Sequence, residues 1–512
     1  MADKTWDAIV IGSGMGGLTC AAALAQFGHR ILVLEQAPYA GGLTHTFERN
    51  GFRWDVGVHY LGAYGEDGTA QPILKWLSDG AIQMASVGPI YDTLHFPDGF
   101  EFVIPRTEAA FRAELRERFA DSADRIDAYF EAMREAQTAA HQMFALRGMP
   151  APLAAIQRAL FGRRMRRWCG RTTQHVLDEL FTDPKIKAVL SAQWGDYGGP
   201  PTQSSFGVHA TIIREYFNGA YYPEGGAGSI APALTQVIER AGGRVETNAA
   251  VAQLIHDGKA VCGVRLRDGR EIRAPRTVSN VGALNTVLKL LPDSLLDSDW
   301  AREVRSFQPS VAHVSLYLGF EGDIAARGAS RSNHWTYASW QPGECLWTDP
   351  ANTDPTVSFI SFPSLKDPRH DPGPKLKHTA EVAVFTDWRA FERFAGDATD
   401  EGHAEYQKFK AQLEQKVLGA FTRRFPALAP LIVHQEFATP FATVTFAGSH
   451  HGAFYGLETT PRRFLSPALN ARTPIDGLYL SGQDVGTPGI NGAMWGSLMT
   501  AGAIDSRVFS RL

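Results

Sequence analysis

The sequence predicts an α/β protein in which a Rossmann-type dinucleotide-binding domain is interleaved with an α+β substrate domain. Two observations predict this fold. Close to the start, an apolar strand, a glycine-rich turn, a helix and a second strand ending in an acid follow one another without interruption. Near the far end, another apolar strand ends in glycine and aspartate and leads into a helix. Both segments are typical of a sheet edge that binds a dinucleotide.

The first strand ends at Ile11 and is followed by the motif G-x-G-x-x-G. In this motif Gly12 permits the tight turn, Gly14 lets the backbone approach a pyrophosphate, and Gly17 lets the helix pack closely on the strand. The free N–H groups at the helix start would face the phosphate oxygens. The second strand ends on Glu35, whose carboxylate would accept hydrogen bonds from the adenosine ribose and would repel a 2′-phosphate.

A second glycine pair, Gly41-Gly42, follows soon after Glu35. It suits a close approach of backbone to a ligand that continues beyond the ribose, although a pair of glycines can also be only a turn. A nicotinamide cofactor does not require such a pair, whereas the flavin ring of FAD extends further across the protein.

The last strand, around Gly477–Leu480, ends in Gly482-Gln-Asp484, and a helix opens after Gly489. Asp484 can bond a ribityl hydroxyl, and the helix start would lie near the edge of the flavin that becomes negative on reduction. We therefore predict non-covalently bound FAD. The residues predicted to bind it are Gly12, Ser13, Gly14, Gly16, Gly17, Glu35, Gln36, Gly41, Gly42, Leu43, Val251, Asn280, Gly482, Asp484, Gly489, Ile490 and Asn491.

A set of stretches spread over nearly the whole chain carries a resemblance to known proteins. They are Ile9–Leu18, Leu32–Gln36, Ala40–Gly42, Gly57–Gly62, Tyr197–Phe206, Gly219–Pro223 with Gly225-Gly226, Ile360–Pro368 and Leu480–Asp484. In these stretches the chain resembles the retinol saturase, carotenoid isomerase and phytoene desaturase group of flavoproteins, and within that group it is most similar to the retinol saturases. The resemblance departs near Gly489-Ile-Asn491. It implies a flavoenzyme that acts on carbon–carbon double bonds of a long apolar molecule.

The domains are predicted to be discontinuous. The FAD-binding domain takes residues 1–75, 223–300 and 470–512, and the substrate-binding domain takes 76–222 and 301–469. In the middle piece a helix over Ser229–Ala241 is followed by strands Arg244–Ile255, Ala260–Leu266 and Glu271–Ala274, joined by Asp-Gly hairpin turns.

Composition fits a large enzyme: 512 residues, 44% hydrophobic and 20% charged, with a net charge of −4 that gives no signal for nucleic acid. The four cysteines are far apart, so we expect neither disulfides nor a metal site. Met1–Trp6 leads directly into the first strand, so we expect no signal peptide. These features predict a cytoplasmic protein, peripheral on the inner face of the membrane if it binds one.

The segment 136–175 contains no acidic residue but seven arginines interleaved with bulky apolar residues. Such a mixture suits a helical element that faces an anionic membrane. A solvated basic helix packed on its own domain explains it equally well. The arginines are Arg147, Arg158, Arg163, Arg164, Arg166, Arg167 and Arg171.

Catalytic residues must supply or pass a proton beside the carbon that exchanges a hydride with flavin N5. His59 and Tyr60 are the first candidates, and Asp196, Tyr197 and His209 are the second. A loop or core role is the competing interpretation for both histidines.

Within the double-bond class, saturation is favoured, and desaturation or non-redox isomerisation stay open. A flavin amine oxidase and a non-enzymatic flavoprotein that presents a lipid are the other classes. Gly226-Ala-Gly228 resembles a second dinucleotide turn, but no buried apolar strand precedes it. We therefore expect an external electron donor or acceptor.

Overall fold

The computed structural model describes residues 5–396 and 399–512, so the first four residues of Met1–Trp6 lie outside the described part. The strands are β1 (Ala8–Ile11), β2 (Ile31–Leu34), β3 (Thr46–Arg49), β4 (Phe52–Asp55), β5 (Met84–Ser86), β6 (Ile90–His95), β7 (Glu101–Pro105), β8 (Tyr221–Pro223), β9 (Arg244–Glu246), β10 (Val251–His256), β11 (Val261–Leu266), β12 (Glu271–Arg273), β13 (Thr277–Ser279), β14 (Ala312–Glu321), β15 (Asn333–Tyr337), β16 (Val357–Ser361), β17 (Lys377–Thr386), β18 (Ile432–Ala438) and β19 (Leu478–Leu480).

The helices are α1 (Met15–Ala25), α2 (Ala70–Leu77), α3 (Glu108–Arg118), α4 (Ala123–Gly148), α5 (Ala151–Cys169), α6 (Thr173–Leu180), α7 (Pro184–Ser191), α8 (Phe206–Glu215), α9 (Ile230–Arg240), α10 (Ala283–Asn285), α11 (Asp299–Arg305), α12 (Pro363–Lys366), α13 (Asp400–Arg424), α14 (Pro440–Ala447), α15 (Pro461–Leu465) and α16 (Gly489–Ile504).

Five strands form an all-parallel sheet in the order β19-β13-β1-β2-β9. Strands β1 and β2 are buried along their whole length, as apolar strands covered on both faces must be. Helix α1 packs against α9 and α16. The strands come from residues 8–34, 244–279 and 478–480, which lie within the three predicted pieces of the cofactor domain.

A seven-stranded mixed sheet has the order β18-β14-β17-β16-β15-β6-β7. Strands β6 and β15 are parallel, and the other neighbours are antiparallel. Its strands lie within residues 90–105 and 312–438, inside the two predicted pieces of the substrate domain. The parallel sheet and the mixed sheet together confirm the predicted α/β fold.

The predicted strand Arg244–Ile255 is wrong as a single element. It divides into β9, which joins the parallel sheet, and β10, which joins the antiparallel sheet β10-β11-β12. Between them Asn248 has a positive φ of 53°, and the N–H of Ala249 donates to the carbonyl of Glu35. The chain therefore turns out of one sheet and into the next at this point.

The segment 136–175 is not one surface element. The end of α4 is buried, and Ala136, Ala139, Ala140 and Met143 belong to the largest apolar cluster. Arg147, which we expected on the surface, is only 3% exposed. Helix α5 carries the exposed part of the segment. Within residues 5–396 and 399–512, no helix is both long and apolar enough to span a bilayer.

Candidate functional site

A cavity of about 510 Å³ opens along the carboxyl ends of the parallel strands. Its walls include Gly12 after β1, Glu35 after β2, Asn280 after β13 and Ser481 after β19. Ligands of open parallel sheets bind at this edge, because the loops that follow the strands converge there. The cavity continues past His59 toward the mixed sheet.

The glycine-rich turn forms the floor of this cavity. Gly12 has a φ of 94°, a conformation that glycine adopts without strain. A Cβ on Gly17 would lie 1.9 Å from the carbonyl oxygen of Gly12, so only glycine lets helix and strand approach this closely. Helix α1 has no side-chain cap at Gly14, which leaves its first N–H groups available to a phosphate.

Glu35 lies where a ribose acid is expected, on the cavity wall after β2. Its Oε2 accepts hydrogen bonds from the N–H of Ser13 at 2.9 Å and from the Ser13 hydroxyl at 2.7 Å. Its Oε1 accepts from the N–H of Ala37 at 2.8 Å. Ser13 is therefore buried beneath the cavity and orients Glu35, while carboxylate lone pairs remain for a ligand.

The second glycine pair lies directly against the first turn. Gly41 forms a parallel bridge with Gly14, and a Cβ on Gly42 would lie 3.0 Å from the Cα of Gly14. Gly42 and Leu43 line the cavity beside Gln36, whereas Gly41 supports them from behind. The pair is thus more than an isolated turn, because it packs against the glycine-rich motif and contributes Gly42 to the cavity wall.

Asp484 lines the cavity after β19. Its Oδ2 accepts from the N–H of Ala283 at 2.8 Å, and its Oδ1 accepts from the N–H of Leu457 at 3.2 Å. Arg463, which is fully buried, lies 3.6 Å from Oδ1. Arg147 donates to the carbonyls of Asp484 and Val485, at 3.0 and 2.8 Å. Two buried arginines therefore fix this segment.

Most of the remaining cofactor candidates also line the cavity: Gly16, Gln36, Val251, Asn280, Gly482, Gly489 and Ile490. Asn491 does not. Its amide donates to the carbonyl of Gly62 and to Glu215, and its Oδ1 accepts from the hydroxyl of Tyr64. Its side-chain groups are used within the protein, so the structure directs this side chain away from the cavity, and a contact of the Asn491 backbone with the cofactor stays a prediction.

His59 lies on the cavity wall beside a buried acid that the sequence did not reveal. Its Nδ1 is 2.9 Å from Oε2 of Glu381, which is 2% exposed. Burial, and then the charge of Lys366, lower the pKa of His59 to about 3, so its imidazole is neutral. Burial raises the pKa of Glu381 well above its ordinary value.

Tyr60 and Asp196 meet at the same wall. The hydroxyl of Tyr60 lies 2.9 Å from Oδ2 of Asp196 and 3.0 Å from Oδ2 of Asp92. Burial, and then the charge of Asp92, raise the pKa of Asp196 well above its ordinary value. The sequence indicated Tyr60 and Asp196 as separate candidates for the proton donor, but it did not indicate their contact with each other and gave no signal for Asp92.

Tyr197 and His209 do not reach the cavity. The two ring nitrogens of His209 bond the hydroxyls of Tyr129 at 2.9 Å and Tyr197 at 3.1 Å. His209 is fully buried, and burial lowers its pKa to about 3. This geometry supports the core interpretation of His209 and gives Tyr197 a packing role.

The residues present fit FAD. A narrow cradle is formed by glycines at which an added Cβ would collide with neighbouring segments of the protein. The acids Glu35 and Asp484 also line this cavity. Gly16 illustrates such a collision, since a Cβ there would lie 2.4 Å from Oδ1 of Asn280 and 2.8 Å from the Cα of Gly482. The cradle is thus closed by contact between the first and last segments of the predicted cofactor domain.

Comparison with known proteins agrees with this geometry. The chain is 32% identical over 524 residues to the all-trans-retinol 13,14-reductase of Rattus norvegicus, covering 98% of this chain and 86% of that protein. It is 25% identical over 496 residues to the chloroplastic prolycopene isomerase of Daucus carota, covering 94% and 76%. The structure of cyclohexylamine oxidase from Brevibacterium oxydans has the same fold, with a TM-score of 0.61, 15% identity and 99% of each chain covered.

The model of a family described as flavin-containing amine oxidoreductase matches residues 15–504. This range includes the helix that follows the glycine-rich turn, the segment of His59 and Tyr60, and the last helix α16. Membership of such a family implies an FAD cofactor. The chain belongs to the flavin-containing amine oxidoreductase family.

Proposed function

We propose that this protein is an FAD-dependent oxidoreductase that reduces a carbon–carbon double bond of a long apolar lipid, such as a retinoid, a carotenoid or an unsaturated fatty chain. The observation that carries the proposal is the hydrogen-bonded pair of Tyr60 and Asp196 on the cavity wall, here called the Tyr60–Asp196 wall, beside an aromatic pocket. Desaturation and isomerisation of a similar chain are the alternatives within this class.

The aromatic pocket adjoins the larger cavity at His59 and Asp196 and has a volume of about 30 Å³. Aromatic and aliphatic side chains provide most of its lining, but its volume accommodates only a small part of an apolar chain, so the rest of the lipid would lie outside it. The lining residues are Val56, His59, Gly195, Asp196, His313, Ser315, Trp335, Phe359, Ala383, Phe385, Phe454 and Tyr455.

The state of Asp196 favours a neutral substrate over a cationic amine. Burial, and then the charge of Asp92, raise the pKa of Asp196, which favours its protonated form and weakens its attraction for an ammonium group. The neutral imidazole of His59 adds no negative charge. An amine oxidase and a lipid-presenting protein without activity therefore rank below double-bond chemistry.

When bound and reduced, FAD supplies a hydride. The side chains of this protein would place the reacting part of the lipid against the aromatic pocket, exclude water and bring a proton from the Tyr60–Asp196 wall to the neighbouring carbon. Glu35, Asp484 and the glycine-rich turn would hold the cofactor. We propose that it is held without a covalent bond, and an external donor or acceptor would exchange electrons with it.

We further propose that α5 binds the surface of an anionic membrane from which the lipid enters. Leu153, Ile156 and Leu160 are 55%, 59% and 68% exposed and share one face of the helix. Arg163 and Arg167 follow on that face, and neither has a carboxylate partner among the residues that the structure describes. The combination of exposed apolar and unpaired basic side chains matches a membrane interface.

The mass of the product tests the proposed function. The enzyme is incubated anaerobically with all-trans-retinol, a cis-carotenoid, an unsaturated fatty acid or a polyamine, with its flavin reduced by dithionite or left oxidised. We expect a gain of two hydrogens with reduced flavin. A loss of two hydrogens indicates a desaturase, and an unchanged mass with a new isomer indicates an isomerase. Peroxide release with the polyamine alone would contradict double-bond chemistry.

A further inference from the structure

The hydroxyl of Tyr60 lies between two carboxyl groups. Its Oη is 3.0 Å from Oδ2 of Asp92 and 2.9 Å from Oδ2 of Asp196. A phenol carries one hydrogen and can donate it to only one of these groups. The other carboxyl must bring a hydrogen of its own, since two bare carboxylates around one donor would leave a repulsive contact in a buried site.

Hydrogen bonding identifies which carboxyl group is charged. Asp92 is fully buried and accepts from the amide of Gln193 at 2.7 Å and from the amide of Asn333 at 3.0 Å, in addition to Tyr60. Donors of this kind stabilise a carboxylate. Asp196 has Tyr60 as its one side-chain hydrogen-bond partner in the described structure, and it faces the cavity. Asp92 is therefore the carboxylate and Asp196 the acid.

Lys366 fixes the direction of the Asn333 amide. Its Nζ, which is buried, donates to Oδ1 of Asn333, to the hydroxyl of Ser361 at 2.7 Å and to the carbonyl of His59 at 2.9 Å. With Oδ1 held by a donor, the NH₂ group of Asn333 must face Asp92. The sheet supports this arrangement, because Asn333 of β15 is in register with Asp92 of β6.

The other titratable groups around Asp196 do not supply a cation. They are the tyrosines Tyr91, Tyr197, Tyr216, Tyr337 and Tyr455, and burial raises the pKa of each. These phenols stay neutral at ordinary pH. Unlike a nearby cation, these neutral phenols do not promote loss of the proton from Asp196.

We propose that Asp196 is the acid that protonates the substrate, and that Asp92, Asn333 and Lys366 are positioning residues that keep its proton in place through Tyr60. The proposal rests on the proposed function. In the step, the π bond of the alkene breaks, and the electron pair of a hydride from reduced flavin forms one C–H bond. The neighbouring carbon takes the proton of Asp196, which leaves a carboxylate that solvent reprotonates, and the flavin ends oxidised.

The first test measures the proton directly and does not depend on turnover. Infrared spectra of the FAD-loaded protein are recorded at pH 8, with and without heavy-carbon labelling of the aspartate carboxyl groups. We expect a label-sensitive carbonyl band of a protonated carboxyl that disappears in Asp196→Asn. The band should remain in Asp55→Asn, a control in which another buried aspartate is replaced. Loss of the band in Asp92→Asn but not in Asp196→Asn would overturn the assignment.

The positioning role has a separate readout. In Lys366→Met the amide of Asn333 is free to turn, so the Asp196 band should shift in frequency or titrate at a different pH while FAD stays bound. An unchanged band and titration would contradict this role for Lys366. Should Lys366→Met fail to fold, Tyr60→Phe provides the same comparison, because it removes the bridging hydroxyl.

Turnover then connects the proton to catalysis. Reduced enzyme is mixed with the lipid found active in the product-mass experiment, and flavin oxidation is followed in one turnover. Asp196→Asn should slow it at least a hundredfold, whereas Asp55→Asn should not. A full rate in Asp196→Asn overturns the proposal even if the band is present. If the infrared band is present but none of the lipids is turned over, the proposed function is contradicted, whereas the protonated state of Asp196 is still supported.

Discussion

At the scale of single residues, Glu35 combines a structural role in the fold with a place on the wall of the proposed cofactor cavity. It holds Ser13 in the glycine-rich turn through Oε2 and holds Ala37 through Oε1, and it also faces the cavity. A residue with this double role cannot be replaced by its amide without cost, because an NH₂ group would meet the N–H donors of the protein.

Glu35→Gln should therefore weaken FAD binding. Loss of charged hydrogen bonds costs about 2 kcal/mol, which corresponds to a roughly thirtyfold higher Kd. Titration of apoprotein with FAD, followed by flavin fluorescence, measures the change. Glu246→Gln is the control, because Glu246 ends the neighbouring strand β9 but pairs with Arg270 away from the cavity. Equal affinity in the wild type and Glu35→Gln would contradict the role of Glu35.

Asp55 provides a pH-dependent prediction. The hydroxyl of Tyr222 and the N–H of Ala227 donate to it, yet burial, and then the charge of Glu381, raise its pKa to about 7. Because the pKa of Asp55 is higher in the folded protein than in the unfolded chain, protonation of Asp55 stabilises the folded state at acid pH. This stabilisation is lost as the pH rises through about 7. The loss of stability begins when the pH exceeds the ordinary pKa of an aspartate, which is the pKa of Asp55 in the unfolded chain.

Between pH 4 and 7 the wild type should thus lose stability relative to Asp55→Asn, by up to about 1.4 kcal/mol per pH unit. Urea unfolding of both proteins at several pH values measures the difference. Groups that do not interact with Asp55 contribute equally to both curves and cancel in the comparison, whereas its neighbours Glu381 and His59 contribute to the difference. Parallel curves for the two proteins would show that Asp55 does not bind an extra proton in the folded state.

The sequence predicted most of the residues that line the cavity at the ends of the parallel strands, because most of them lie within a short motif next to a strand end. It was not sufficient for Asp92 and Lys366. These two meet through Asn333, and that contact depends on the register of β6 with β15, whose paired residues Asp92 and Asn333 are 241 positions apart in the chain. Glu381 is similar, since it reaches His59 from the middle of the long strand β17. No local pattern records such contacts.

At the scale of elements, helices α4 and α5 show why a run of arginines is ambiguous in sequence. Arg147 ends α4 in the core and binds backbone carbonyls, whereas Arg163 and Arg166 of α5 are exposed. Both kinds of arginine occur at helical spacing with apolar neighbours. The difference lies in tertiary packing, because α4 contacts α16 and α8 while one face of α5 has no partner in the described structure.

Replacing Leu153, Ile156 and Leu160 with Gln should reduce binding to anionic liposomes at least tenfold. Each apolar side chain removed from the interface loses about 1.5 kcal/mol or more of burial. Sedimentation with vesicles of mixed zwitterionic and anionic lipid measures the binding. Leu376→Gln and Val433→Gln, which replace exposed apolar residues elsewhere, are the control. If binding to liposomes does not change, α5 is better explained as a solvated basic helix than as a membrane-binding one.

At the scale of the whole molecule, the cofactor cavity joins distant parts of the chain. Gly12, Asp196, Val251, Phe454 and Gly489 all line it, and they come from both predicted domains. A ligand that binds all these segments stabilises their packing together, because it binds the folded state and not the unfolded one.

FAD at a hundredfold excess over its Kd should therefore add about 2.7 kcal/mol to the free energy of unfolding. Thermal unfolding of apoprotein at increasing FAD concentration measures this effect, and FMN, which lacks the adenosine part, should stabilise less. Release of yellow FAD on acid denaturation would support non-covalent binding. A Tm that does not change with FAD would contradict the assignment of the cavity.

The order of strands in the parallel sheet has a consequence for biosynthesis. Strand β1 lies at the centre, and β19, which is made hundreds of residues later, completes one edge. During translation the first glycine-rich turn leaves the ribosome long before its partners Gly482 and Asp484 exist. Until then β1 and β2 cannot reach their final packing in the sheet. The proposed FAD site is complete only when synthesis reaches α16. Nascent chains of this protein should depend on chaperones until that moment, since exposed strand edges favour aggregation.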